Sequence, residues 1–248
     1  MSLDKNIFQQ PANKLLAALP ANDYQRLFPH LKLVSLEVHQ TLYQAGEPIA
    51  QIYFPHNSMV SIVTTMEDGS TAEVGIVSNE GMAGIPAILG NNITTTTSFV
   101  QISGAAMQMN ADVLKAEFNQ GGAIQTLLLS YIQAIYSELM QAAACNRLHT
   151  LDERLARWLL TVSDRVESED FPLTQQFISQ MLGVRRSGVT VAASTLSRAG
   201  MISYHRGHIN ILNREDLEAT SCECYRIIQN EFARLLGFMP SKRGQKFF

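Results

Sequence analysis

The sequence predicts an α+β fold in three successive parts: an antiparallel β sandwich or barrel, one long helix, and a helical region carrying a single hairpin. Three observations carry this expectation. From Leu31 onward, short β-rich runs are punctuated by AGEP, PHNS, EDGS and SNEG, and short strands between Gly/Pro/Asn turns indicate antiparallel β structure. Between Gly122 and about Arg147 there is no further Pro or Gly, which allows one unbroken helix. Beyond it, apolar residues recur at helical spacing, except in ISYHRGHINIL, which alternates about Arg206-Gly207.

Each element follows from its residues. NKLLAALPANDYQRLF is a helical lead-in broken at Pro20. MVSIVTTMEDGSTAEVGIV is a hairpin closed at Asp68-Gly69. TTTTSFVQISG and GAAMQMN supply further strands, and Asn110 caps a helix over Ala111 to Phe118. In the long helix, Leu128, Ile132, Ile135, Leu139, Ala142 and Asn146 follow a 4-3-4-3-4 spacing, the seam of a coiled coil. The seam pairs with a second copy of the chain, with Asn146 setting the register, or else packs on its own domain. LDERLARWLLTVSDRV turns Leu155, Trp158, Leu159 and Val162 inward, and ESEDFP ends it. LTQQFISQMLGV and RRSGVTVAASTLSRAGMI are two helices about Gly183, and NREDLEATSCECYRIIQNEFARLLG is one helix from the Asn213 cap to Gly237. The tail after Pro240, with Lys242, Arg243 and Lys246, frays.

Composition narrows the class. The 248 residues suffice for two domains, and 17% charged against 46% apolar residues suits a globular chain. No apolar run approaches the roughly 18 residues of a membrane span. No basic-then-apolar signal segment opens the chain, so a cytoplasmic protein with no membrane partner is expected. Residues 1–146 hold 5 Lys+Arg against 11 Asp+Glu, whereas residues 147–248 hold 14 against 11. No acid occurs between Asp170 and Glu215, a window carrying Arg185, Arg186, Arg198, Arg206, Arg214, His205 and His208. A basic face on a mildly acidic chain suits phosphate contacts.

The helix pair about Gly183 has the spacing of a helix-turn-helix. Thr174 caps its first helix, and Phe177, Ile178, Met181 and Leu182 face the core. Gly183 permits a left-handed turn. Val184, Val189, Ala192 or Ala193 and Leu196 hold the second helix against the first. Arg185, Arg186, Ser187, Thr190 and Ser194 are left outward, so that Arg can bond guanine O6 and N7 in a major groove. Thr174, Gln175, Arg206 and His208 complete the expected DNA-contacting set, with Tyr204 and His205 on the same hairpin. Gly188 costs about 1 kcal/mol of helix propensity, for which close approach to the DNA backbone is the reason suggested here.

LTQQFISQMLGVRRSGVTVAASTLSRAGMI and HRGHINILNREDL resemble the winged helix-turn-helix of the Crp/Fnr family of bacterial transcription regulators. AGEPIAQIYFPHNSMVSIV resembles that family's β-roll, and CNRLHTLDERLARWLL its hinge. The likeness covers about residues 10–235. It implies a jelly-roll-like β-roll sensor domain over residues 1–121, a dimerisation helix and hinge over 122–148, a winged DNA-binding domain over 149–240 and a tail over 241–248. It further implies a homodimer on a two-fold symmetric operator of double-stranded DNA, with RNA polymerase as a candidate partner.

The chain departs from the family at three places. Cyclic-nucleotide binders carry Gly-Glu for the ribose and Arg-Ser or Arg-Thr for the phosphate. In EGMAGIPAILGNNITTTTSFV, Gly84 is present, Ile85 stands in the place of Glu, and no arginine lies near Thr95, Thr96 and Thr97. These five residues mark the expected effector pocket, but a buried phosphate without a cation is costly, so neither cAMP nor cGMP is expected and the effector stays unidentified. An iron–sulfur cluster near the N-terminus is not expected, since no cysteine precedes Cys145. Nor is haem, since His39 and His56 flank the expected strands and read as surface or hydrogen-bonded residues. Cys222 and Cys224 fall within the expected last helix at a spacing too short for zinc, and with Cys145 they read as packing residues, so no metal is expected. In the second helix of the pair, Ser187-Gly188 and Val191 replace the Glu and second Arg common in the family, and Arg186 is the residue expected to read a guanine.

Two other functions compete with this reading. An enzyme would need a nucleophile elbow, a phosphate loop or a paired-acid site, and the sequence offers none; Asp68, Glu73 and Glu80 read as solvated turn residues. Alternatively, the β-roll binds a protein partner rather than a small ligand, or binds no ligand and the regulator is constitutive.

Overall fold

The computed structural model describes residues 11–238. The tail after Pro240 lies outside the described residues. The lead-in consists of α1 (Lys14–Ala17) and α2 (Ala21–Leu27), with Pro20 as the N-cap of α2.

Seven strands follow: β1 (Lys32–Leu36), β2 (Thr41–Tyr43), β3 (Gln51–Pro55), β4 (Met59–Thr65), β5 (Thr71–Val77), β6 (Thr97–Ile102) and β7 (Gly104–Asn110). They form two antiparallel sheets, ordered β1-β7-β3 and β2-β6-β4-β5. The β4–β5 hairpin turns at Asp68-Gly69 as expected, with Gly69 at φ +82°. Leu36, Ile52, Phe54, Val60, Val100 and Met109 fill the first core. A short helix that the sequence reading missed, α3 (Pro86–Leu89), lies between β5 and β6.

Asn110 caps α4 (Ala111–Asn119) by accepting from the Asp112 amide. Then α5 runs unbroken from Gly122 to Leu148. Its buried stripe is Ile124, Leu128, Tyr131, Ala134, Glu138 and Cys145. The expected seam therefore needs correction. Leu128 is 3% exposed within a single chain and belongs to the β-roll core, so it is not available to a second copy. Ile132 and Ile135 are half-buried against the same core. The open apolar residues of α5 are Leu129, Tyr136, Leu139, Met140 and Leu148. Of the expected seam, Leu139 and Asn146 are exposed and Ala142 is half-buried, while the other open residues lie beside that line on the helix. A heptad count from sequence does not separate these adjacent stripes when both are apolar.

The C-terminal region begins with α6 (Leu151–Val166), closed at its start by a reciprocal pair between Thr150 and Glu153. After it come β8 (Asp170–Pro172), α7 (Gln175–Met181), α8 (Arg186–Arg198), β9 (Ile202–His205), β10 (His208–Ile211), α9 (Arg214–Thr220) and α10 (Cys224–Leu236). β8 pairs with β10 to complete a three-stranded antiparallel sheet, β8-β10-β9. The sequence showed only a break there, because three residues ending in proline carry no periodicity. The expected single helix from Asn213 to Gly237 is two helices. Ser221 is extended (φ −69°, ψ 153°) and breaks the run, which takes Cys222 out of any helix.

One apolar core joins the two halves of the molecule. Met59, Val63 and Ile76 of the β-roll pack in the same cluster as Leu155, Leu159, Ile178 and Val189. Buried polar groups bridge the same boundary. Trp158 donates to Glu73 at 2.9 Å, and Ser61 donates to the other Glu73 oxygen at 2.8 Å. Arg165 holds Glu80 at 3.2 Å, Glu138 at 2.8 Å and the Ile76 carbonyl at 2.6 Å. Glu73 and Glu80 are thus not solvated turn residues; they anchor one half of the chain to the other. Asp68 does sit in its exposed turn, holding Ser70.

Candidate nucleic-acid interface

The pair α7–α8 is built around its turn. α7 starts with Thr174 accepting from the Phe177 amide at 3.1 Å, and the Tyr204 hydroxyl accepts from the Gln175 amide at 2.9 Å. Tyr204 therefore caps α7 from β9 and is half-buried, not free at the hairpin. At the other end, Gly183 takes φ +62°. The Val184 amide donates to Ser179 O and the Gly183 amide to Gln180 O, the double bond pattern of a left-handed helix stop. Arg154 of α6 donates to the Leu182 carbonyl at 2.6 Å, which adds a charge-assisted bond to the turn. Val189, Ala192, Ala193 and Leu196 are buried beneath α8.

That packing decides which side of α8 faces out. Arg185, Arg186, Ser187, Thr190 and Ser194 are all exposed, as expected. Neither Arg185 nor Arg186 has an acidic partner within ion-pair distance among the described residues. Arg185 is the N-cap and offers no side-chain acceptor, so the first amides of α8 stay open to an anion. Thr190 is less free than expected. Its hydroxyl lies 2.9 Å from Gln175 Oε1 and 3.1 Å from the Arg186 carbonyl, so Thr190 and Gln175 brace the two helices against each other. Gly188 has a reason inside the fold: a Cβ there would come within 3.1 Å of Leu151 Cδ2. The close approach seen in the fold is to the start of α6.

The hairpin β9–β10 turns on Arg206 (φ +47°) and Gly207 (φ +81°), the paired positive φ values of a tight hairpin turn. Arg206 is exposed at its tip. His208 is exposed too, but its Nδ1 lies 3.5 Å from Asp170. The acid-free window in sequence thus acquires an acid through the β8–β10 pairing. Arg214 also leaves the basic face, because Asp164 at 2.7 Å and Glu218 at 2.8 Å hold it against α6. The basic surface reduces to Arg185, Arg186, Arg198 and Arg206.

Residues 33–120 match the cyclic nucleotide-binding domain and residues 153–220 the Crp-like helix-turn-helix domain, together well over half of the chain in this order. The chain belongs to the Crp/Fnr family. It is a transcription regulator of the Crp/Fnr type with a helix-turn-helix DNA-binding domain. FixK2 from Bradyrhizobium japonicum is similar in structure, with 16% identity and a TM-score of 0.68 over 77% of this chain and 98% of that one. A regulator assigned to the Crp/Fnr family from Eubacterium rectale shares 15% identity, with a TM-score of 0.66 over 83% and 96%. The c-di-GMP responsive global regulator CLP of Xanthomonas campestris shares 12%, with a TM-score of 0.64 over 77% and 99%. At such identities the likeness is one of fold. No curated protein sequence matches the chain. Among the described residues no helix is long and apolar enough to cross a membrane.

In this Crp/Fnr chain, a pocket of about 250 Å³ lies between the β-roll and α5. Of the five expected effector residues, Gly84, Ile85 and Thr96 line it, while Thr95 and Thr97 do not. Thr95 is exposed, and the Thr97 hydroxyl accepts from the Ala45 amide. Gly84 sits at φ +111°, where a side chain is strained, and a Cβ there would run into Ile52 Cδ1. Ile62, Ile76, Val77 and Met82 line the interior, with Ile135 and Leu139 of α5 opposite. The sole charged lining residue is Glu138, which Arg165 already holds.

Proposed function

We propose that the protein is a homodimeric, cytoplasmic regulator that binds a two-fold symmetric operator in double-stranded DNA, with the start of each α8 in a major groove. The observation that carries this reading is the exposed, unpaired Arg185-Arg186 pair on the first turn of a helix whose opposite face is fully packed. Arg186 reads a guanine, while Arg206 at the wing tip contacts a phosphate. Two half-sites about one helical turn apart suit two copies related by a dyad. Exposed Leu129, Tyr136, Leu139 and Met140 on α5 support pairing with a second copy, since an open apolar stripe of this length is unfavourable in water.

The effector is an apolar small molecule held between the β-roll and α5, not cAMP or cGMP. The lining offers no cation for a phosphate and no carboxylate free for a ribose. Leu139 belongs both to this pocket and to the open stripe of α5, so an occupant bears directly on the helix that pairs the two copies. The fold carries a regulator rather than an enzyme in this reading.

Selection of bound duplexes from random DNA tests the proposal. The expected product is an inverted repeat with guanine at one fixed position of each half. Recovery of unrelated sequences, or of a single asymmetric half-site bound by one chain, overturns it. Calorimetry of the purified protein with cAMP tests the effector reading, and micromolar binding refutes it.

A further inference from the structure

Cys145, His149, Cys222 and Cys224 meet where α5 ends and α9 gives way to α10. Their four donor atoms all lie within 4.8 Å of one another. Cys145 Sγ is 3.6 Å from Cys222 Sγ, and Cys224 Sγ is 3.6 Å from His149 Nδ1. A tetrahedral zinc ion, with bonds of about 2.3 Å to sulfur and about 2.0 Å to nitrogen, sets its sulfurs ~3.8 Å apart and a sulfur and nitrogen ~3.5 Å apart. Two edges of that tetrahedron are already in place. We propose that these four side chains form a Cys3His site that binds one Zn2+ per chain.

Packing alone does not account for the arrangement. The three cysteines are buried, yet they join neither apolar core and touch each other as a separate cluster. Cys222 and Cys224 are separated by one residue, which on a helix would point them apart. The break at Ser221 removes that constraint and lets both face Cys145.

The surroundings have the features of a ligand shell. His149 turns Nδ1 toward the thiols, and its Nε2 lies 3.2 Å from the Glu223 carboxylate. A carboxylate holding the far N–H of a ligating imidazole fixes the tautomer and aims the free lone pair at the metal. Gln141 donates to Cys224 Sγ at 3.1 Å, which favours a thiolate there. Zinc with three thiolates and a neutral imidazole carries one negative charge. Arg154 and Arg157, both buried at 8% exposure, act on the Cys145 sulfur, and neither has a carboxylate within ion-pair distance among the described residues. The centre supplies the anion these guanidinium groups lack. The thiol protons are released to solvent on binding.

The position gives the ion a consequence. Cys145 and His149 lie at the entrance to the winged domain, and Cys222 and Cys224 follow its wing, after α9. One ion therefore closes the whole helix-turn-helix and wing into a loop tied to the end of α5, fixing the angle at which α8 is presented.

The test uses the full chain, reduced and stripped of metal, titrated first with Co2+ as a visible probe and then with Zn2+. One equivalent of Co2+ should bind with the ligand-field and thiolate charge-transfer bands of a tetrahedral site, and one equivalent of Zn2+ should bleach them. Elemental analysis of protein isolated from cells grown with zinc should find one zinc per chain. Cys224→Ser should abolish the charge-transfer signature or shift it. Because a buried serine there could disturb folding, Glu223→Ala, at an exposed side chain, serves as the second variant. Its zinc affinity should fall about 10- to 100-fold with the circular dichroism unchanged. Chelation should lower the melting temperature of the wild type but not of Cys224→Ser. No bound cobalt in the folded, reduced protein overturns the proposal. So does Glu223→Ala affinity equal to wild type, or a Cys145–Cys222 disulfide in freshly isolated metal-free protein. None of these measurements involves DNA, so failure here leaves the operator reading untouched.

Discussion

Replacing Glu73 by glutamine gives a prediction whose sign and size follow from the structure. Glu73 lies on β5 between Trp158 Nε1 at 2.9 Å and Ser61 Oγ at 2.8 Å. Burial raises its carboxyl to about 7 from an ordinary 4.5, although the hydrogen bonds from Trp158 and Ser61 and the charge of Arg165 pull the other way. The folded chain therefore keeps this proton up to about pH 7, whereas the unfolded chain releases it near 4.5. Folding takes up a proton between these limits, so the stability that Glu73 contributes is complete below pH 4.5 and is lost as pH rises through 7. The move from 4.5 to about 7 corresponds to about 3 kcal/mol, an upper bound because part of the residue remains open to water. Glutamine keeps an acceptor for Trp158 and presents an N–H to Ser61 Oγ, whose own proton goes to Gln101 Oε1 at 2.7 Å, without the ionisation. Glu73→Gln should match the wild type at pH 4.5 and exceed it at pH 8 by up to about 3 kcal/mol. Urea unfolding at a series of pH values measures this, with fluorescence of Trp158, the one tryptophan of the chain, as a probe seated on the site. Parallel stability curves for the two proteins would refute the reasoning, since every other titrating group is common to both.

Four further outcomes are expected. Arg165→Ala leaves Glu80 and Glu138 buried beside each other without their shared cation, and should cost about 3–5 kcal/mol in denaturant unfolding. Arg186→Ala should leave the melting temperature unchanged but weaken operator binding by about 1–3 kcal/mol and relax base preference at one position, read by fluorescence anisotropy. Arg206→Ala should weaken binding evenly across sequences and reduce the slope of log affinity against log salt by about 1. Met140→Asp, on the open stripe of α5, should convert a dimer to a monomer in sedimentation, and an unchanged mass would count against pairing through α5.

Local signals carried most of the fold. Asp68-Gly69, Asn110, Asn213, Gly183 and Gly237 each specify a turn, cap or stop through their own backbone chemistry, and each does so in the structure. The outward set on α8 was legible because 3.6-residue periodicity assigns its buried face and hence the opposite one. What escaped was set by partners distant in sequence. Glu73 and Glu80 look like turn residues until Trp158 and Arg165, more than 80 positions away, close on them. His208 gains Asp170 only through strand pairing. The cysteines were taken apart by a helix assumed to be continuous; Ser221, a weak helix former before Cys-Glu-Cys, was the available hint of a break.

The shared core beneath α6 and α7 bears on how this protein is handled. Phe99 meets Phe177 edge to face at 6.2 Å, and Ser61 touches Met181 at 3.8 Å. A fragment starting near position 149 would carry the reading helix into solution with a bare greasy underside and Arg165 stripped of both its acids. The molecule should melt in a single step, and excised halves should clump rather than behave as interchangeable modules. Any stimulus that swings the reading helix has to slide this seam, which makes the seam itself a control point.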